Sequence, residues 1–205
     1  MSKTTFKPGT MLNPVPAVMV SCGSCPEEEN IITIAWTGII NSDPPLTYIS
    51  VRKSRFSHAV LEKEREFVIN LTTEELVKAA DYCGVRSRRD VNKFEELKLE
   101  KEYGDIVKCP MIAKSPVNLE CKVQDVQSFA THDMFIAEIV SVHVDTKLLD
   151  EKGRFELEKA GLVAYSHGEY FGLAKRPLGK FGFSVMKPKT KKRIASERRN
   201  AMRRK

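Results

Sequence analysis

Between Ser50 and Ser57 the chain reads S-V-R-K-S-R-F-S, gathering two guanidinium groups and three hydroxyls into one short segment able to grip an anion. Arg52 can offer a planar fork to phosphate oxygens, while Ser54 and Ser57 can donate from their hydroxyls. A helix opening after Ser57 would add unpaired backbone N–H groups aimed at the same point. Binding of a phosphate-bearing ligand is the chemistry this pattern serves. The competing reading is a solvated loop whose Arg52, Lys53 and Arg55 pair with surface carboxylates. Upstream, Asn30 to Thr37 alternates, with Ile32, Ile34 and Trp36 on one face and Thr33, Ala35 and Thr37 on the other. Its polar face could meet a ligand, and Trp36 reads equally well as a core aromatic.

Other residues carry chemistry less specifically. Lys93 can reach across to an anion or stand exposed in a first helical turn. His132 can donate a hydrogen bond without changing charge, or serve structurally. Cys22 and Cys25 form C-G-S-C, a spacing used by redox dithiols and by half of a zinc site. No second pair accompanies them, so packing thiols are the simpler reading and no metal is expected. The surroundings of Gly23, Gly38 and Gly172 lack G-x-G-x-x-G, so any nicotinamide nucleotide must bind transiently.

The elements that must position these residues are mostly strands. Ala17 to Cys22, Asn30 to Thr37, Leu46 to Val51 and Glu66 to Leu71 read as strands separated by turn signals, among them Asp43-Pro44-Pro45. Ser57 is the expected cap of a helix over His58 to Lys63, and Thr72 with Glu75 has the form of a capping box for a helix from Thr73. Gly84 is placed to end that helix, and Asp90 to cap a third one carrying Phe94 and Leu97. From Val117 the period returns to two, with a phase change near Ile139 and Val140 that predicts a bulge. A β-rich body with inserted helices predicts a barrel rather than a doubly wound sheet.

These motifs, N-x-x-T-x-A-W, N-S-D-P-P, S-V-R-K-S-R-F-S, E-F-V-I-N-L, R-D-V-N-K-F-E-E-L and T-H-D-M-F-I-A-E-I-V, fall in order across most of residues 10 to 172. Together they resemble the flavin reductase-like, FMN-binding split-barrel family, flavoredoxins in particular. The resemblance implies FMN at a homodimer interface, with its ring against Thr33, Ala35, Trp36 and Thr37 and its phosphate in the loop of Arg52, Ser54 and Ser57. Backbone N–H groups around Ala35 to Thr37 and at Ser50, Val51 and Arg52 would hold the ring edge and tune it, with no catalytic side chain required. Phe56 and Lys93 would complete the cofactor pocket, Tyr165 and Phe171 would close over it, and His132 would meet the nicotinamide or second substrate. Many relatives read G-D-H where this chain reads Thr131-His132-Asp133, which leaves two activities open. One is an oxidoreductase fed by NAD(P)H, and the other a carrier fed by a redox partner protein.

The chain has 205 residues, 41% of them hydrophobic, enough for one substantial core. No apolar run approaches the roughly 20 residues that span a bilayer, and Met1 to Thr10 lacks the apolar centre of a secretory signal. An odd set of five cysteines fits a reducing cytoplasm. The formal charge of +7 resides in residues 187–205, which hold ten Lys or Arg and one Glu, so the body is nearly neutral. The chain therefore divides at 1–186 and 187–205. The basic tail lacks aromatics for base stacking, so nucleic acid is the unfavoured partner.

Overall fold

In strand β2 (Val18–Cys22), Val18, Val20 and Cys22 face one side and Met19 and Ser21 the other, yet all five are buried. A strand covered on both faces must carry layers above and below, and the computed structural model supplies them. It describes residues 1–174, 177–190, 192, 193 and 196.

The strands, in chain order, are β1 (Val15–Pro16), β2, β3 (Asn30–Ile34), β4 (Thr37–Ser42), β5 (Pro45–Arg52), β6 (Glu66–Leu71), β7 (Lys101–Tyr103), β8 (Pro110–Ile112), β9 (Val117–Ser128), β10 (His132–Val144), β11 (Val163–Ser166) and β12 (Glu169–Gly172). Seven of them form one antiparallel sheet in the order β3-β2-β6-β9-β10-β5-β4. Its two edge strands, β3 and β4, are joined by Ala35 and Trp36 alone. Three Cα steps reach at most about 11 Å, so the sheet must curl until its edges nearly meet. The result is a half-barrel split between β3 and β4. Register shifts between Ile136 and Ala137 and between Ile139 and Ser141 help bend β10, which places the bulge where the period changes in the sequence.

Inside the curl, Val18, Val20, Ile34, Ile49, Phe67 and Phe135 pack with Val60 and Leu61 of helix α1 (Phe56–Glu64). Each such fully buried apolar side chain contributes about 1.5–3 kcal/mol. Outside it, Met19 and Ile31 pack against Leu76, Ala80, Cys83 and Phe94, carried by helices α2 (Val77–Val85) and α3 (Lys93–Glu96) and the single 3-10 turn before α2.

The helices begin elsewhere than the caps in the sequence suggest. Arg55, not Ser57, is the N-cap of α1, and Ser57 is buried in its first turn. Thr72 and Glu75 form no capping box: a 3-10 turn spans Glu74–Leu76, and α2 starts only at Val77. Gly84 lies inside α2, where a Cβ would stand 3.4 Å from that of Thr33, so the glycine serves close packing of helix on strand. Asn92, not Asp90, precedes α3, and its amide reaches Glu95 at 2.6 Å.

The chain divides into two compact units, Met1–Leu173 and Ala174–Lys205. Among the described residues the first holds every strand, with β1, β11 and β12 forming a small separate sheet. The second holds, among its described residues, a 3-10 turn at Phe183–Val185. Most of the basic tail expected at 187–205 lies outside the described residues.

Candidate functional site

Two clefts meet along Ile32, Arg52 and Arg55. The first, of about 270 Å³, is walled on one side by Asn30 and the start of α1 and on the other by the loop following α2. Six cationic side chains line it, namely Arg52, Arg55, Arg86, Arg88, Arg89 and Lys93, and no carboxylate does. Their recorded hydrogen-bond partners are backbone carbonyls. Arg88 donates to those of Glu29 and Pro26, Arg89 to that of Ser54, and Lys93 to those of Ile31 and Cys83. Carbonyls orient a cation without neutralising it, so the cleft keeps a net positive charge.

Lys93 is only 2% exposed, which overturns the exposed reading of that residue. Burial depresses its pKa, the neighbouring cysteines Cys83 and Cys22 raise it, and the charges of Arg55 and Arg88 lower it further. Two further features suit an anionic, hydroxylated ligand. The N-cap of α1 makes no side-chain hydrogen bond, leaving first-turn N–H groups free of a cap. The buried amide oxygen of Asn30 has no hydrogen-bond partner, while its Nδ2 donates to Ser57 Oγ at 2.7 Å. Ser57 thus helps build the wall, and its hydroxyl already accepts a bond.

The second cleft, of about 370 Å³, is bordered by Thr33, Ala35, Trp36, Ser50, His132 and Tyr165. Trp36 is 43% exposed and lies outside both strands, so it is not the core aromatic that strand alternation allows. Its ring lies 4.8 Å from that of His132, tilted by 34°. Burial, then the charge of Arg52, lowers the pKa of His132. Thr131 Oγ1 lies 2.8 Å from its Nδ1.

Several expected groups are spent on the fold instead. Thr33 donates its hydroxyl to the Ala80 carbonyl and Thr37 donates to that of Tyr48. The Ser50 N–H donates to the Trp36 carbonyl at 2.9 Å, so it is committed to the sheet rather than to a ring edge. The Val51 side chain lies wholly inside the core, so only its backbone could serve as expected. Ser54 and Phe56 line the first cleft, whereas Phe171 lies exposed in β12 and lines neither. The sequence motifs include Asn30 and Arg89 without giving them a role and leave out Arg86 and Arg88, although the run R-S-R-R at the end of a helix signals all three arginines.

Behind these clefts, His58 of α1 meets Asp133 of β10 at 2.7 Å, both buried, and Lys53 reaches the same carboxylate at 3.2 Å. Burial alone would raise the Asp133 pKa, but the polar groups of Ser128, His58 and Lys53 beside it outweigh that effect and hold the carboxyl at about 2. This pair ties the anion-facing end of α1 to the strand that carries His132. In contrast, Cys22 lies in the barrel core, where burial pushes its thiol up to about 12 against a hydrogen bond with Ser57. A thiol so disposed is a poor relay at neutral pH.

A family model described as a flavin reductase like domain matches residues 11–174. A flavoredoxin of Desulfovibrio vulgaris superposes with a TM-score of 0.82 at 27% identity, over 90% of this chain and 100% of that one. An FMN-binding protein from Thermus thermophilus, with bound 1-cyclohex-2-enone, superposes with a TM-score of 0.72 at 26% identity, over 88% of this chain and 98% of that one. A protein of Archaeoglobus fulgidus is 32% identical over 116 residues, 57% of this chain and 66% of its own length.

Proposed function

We propose, from the premise that this chain belongs to the flavin reductase-like family and has its split-barrel fold, that it binds FMN and passes reducing equivalents through it. The observation that carries this reading is the pair of joined clefts, one cationic and one aromatic. A flavin mononucleotide has the same division between phosphate and ring. Arg52, Arg55 and the start of α1 would hold the phosphate, the free Asn30 oxygen would accept from a ribityl hydroxyl, and the cleft of Ala35, Trp36, His132 and Tyr165 would take the ring. The flavin supplies the redox chemistry when bound.

The chain's own residues position and shield. His132, held toward its neutral form by burial and Arg52, can donate a hydrogen bond to a second substrate without adding charge beside the ring. Trp36 and Tyr165 limit water at the cleft mouth. In the leading reading the donor is NAD(P)H; the alternative is a flavoredoxin-like carrier fed by a protein, which the flavoredoxin likeness favours. The edge strand β4 carries exposed Ile39 and Ile40, apolar residues beside unpaired backbone, and this supports a homodimer. Five free cysteines fit a reducing cytoplasm, and among the described residues no helix is long and apolar enough to cross a membrane.

The test is the visible spectrum of the purified chain, followed by anaerobic addition of NADH and then NADPH. Bleaching of a yellow protein by either nucleotide supports the reductase. Reduction by dithionite alone supports the carrier, and a colourless protein that also fails to take up FMN refutes the flavin reading.

A further inference from the structure

A flavin mononucleotide carries one phosphoryl group of charge close to −2. The cleft assigned to it holds six cations and no carboxylate. Four of the six, Arg52, Arg55, Arg86 and Arg89, are exposed at the cleft wall, and no described carboxylate pairs with them. The six are also divided in space by the elements that carry them. Arg52 and Arg55 belong to the end of β5 and the entry to α1, while Arg86, Arg88 and Arg89 all lie in the loop that follows α2. Arg88 is fixed in that loop by the carbonyls of Glu29 and Pro26, and Arg89 by that of Ser54, so the loop's charges are held against the cleft. Like charges gathered this way repel one another, and an arrangement of that kind is stabilised only by anions that match it.

We infer that the cleft holds two phosphoryl groups at once, one on the Arg52 side and a second gripped by Arg86 and Arg89. The inference rests on the flavin reading for the first phosphate. The second can come from the diphosphate of a dinucleotide flavin or from a nucleotide co-substrate bearing a phosphate of its own, such as the 2′-phosphate of NADPH. The two differ in charge, since each phosphate of such a diphosphate carries one negative charge and a 2′-phosphate nearly two, but both offer phosphate oxygens to the same guanidinium forks.

Calorimetry separates the sources. Apo protein is titrated with FMN and with FAD, and FMN-loaded protein with adenosine 5′-monophosphate and with adenosine 2′,5′-bisphosphate. A preference of about tenfold or more within either pair is expected, the scale of one charge-assisted hydrogen bond. The first pair assigns the second phosphate to the flavin, and the second assigns it to a co-substrate. The double variant Arg86→Ala, Arg89→Ala should abolish the preference, and Arg86→Lys, Arg89→Lys should restore part of it. The inference is overturned if FMN binds and neither pair shows a preference, or if the preference survives the alanine variant. Should FMN fail to bind, the flavin reading falls by itself. Inorganic pyrophosphate against inorganic phosphate then decides the cleft: a preference for pyrophosphate that the alanine variant loses upholds two subsites, and equal binding overturns them.

Discussion

Arg52 borders both clefts and faces His132 across the ladder between β5 and β10, so in the proposed function one side chain would serve the phosphate and also set the charge beside the ring. Arg52→Ala should weaken FMN binding by about 1.5–3 kcal/mol, the value of a charge-assisted hydrogen bond, as read by calorimetry. Unchanged affinity would move the phosphate elsewhere. The same substitution should let the His132 pKa rise toward its ordinary 6.5, because the second cause of its depression is gone; an NMR titration would show it. The sign for stability follows. Wild-type His132 resists protonation when folded, whereas the unfolded chain takes the proton near pH 6.5, so stability falls as pH drops below that value. His132→Gln should remove that loss, seen as a flatter denaturation midpoint between pH 6.5 and 5. The place of Arg52 and Ser54 on a cationic cleft was legible in the sequence because side chains suited to anions are few in type, whereas Ser57, of the same type, is spent on the wall. The burial of Lys93 was not, since its partners are the carbonyls of Ile31 and Cys83, and backbone groups leave no trace in side-chain spacing.

At the scale of elements, the join between α1 and β10 carries the most consequence. Asp133→Asn removes a buried charge from His58 and Lys53, and a loss of about 3 kcal/mol in urea denaturation is expected from breaking such a pair. With its folded pKa near 2 and an ordinary value of 3.8, Asp133 contributes stability that is fully present above about pH 4 and is lost between there and pH 2. The turn leaving β2 is equally constrained. Gly23 has φ of +96°, and a Cβ there would lie 2.4 Å from the Glu28 backbone, so Gly23→Ala should cost on the order of 1–3 kcal/mol or more by the same measurement. The strands were readable because alternation survives in β5 and β9 and a continuous apolar run marks β2 and β6. The helix starts were misplaced for a common reason. Ser57, Thr72 and Gly84 have the types that cap helices, but the fold buries Ser57 and Thr72 and uses Gly84 for contact with β3.

For the molecule as a whole, the sheet order follows from an economy of chain: two residues connect the edges of a seven-stranded sheet, and those two residues line the second cleft. Removal of residues 187–205 takes away nine net positive charges and leaves the remainder near −2. Flavin affinity should persist in that truncation at constant salt, while any salt-sensitive association with an acidic surface should weaken; loss of flavin binding would place the tail in the site. The seam at Ala35 and Trp36 has one more consequence. Trp36 is the single tryptophan of the chain, so its ultraviolet emission comes from one place, the half-exposed mouth of the cleft, with no background from the core. The protein therefore carries a built-in optical probe: quenching of its intrinsic fluorescence reports occupancy of this cleft, and energy transfer to a yellow chromophore would serve as a molecular ruler across it.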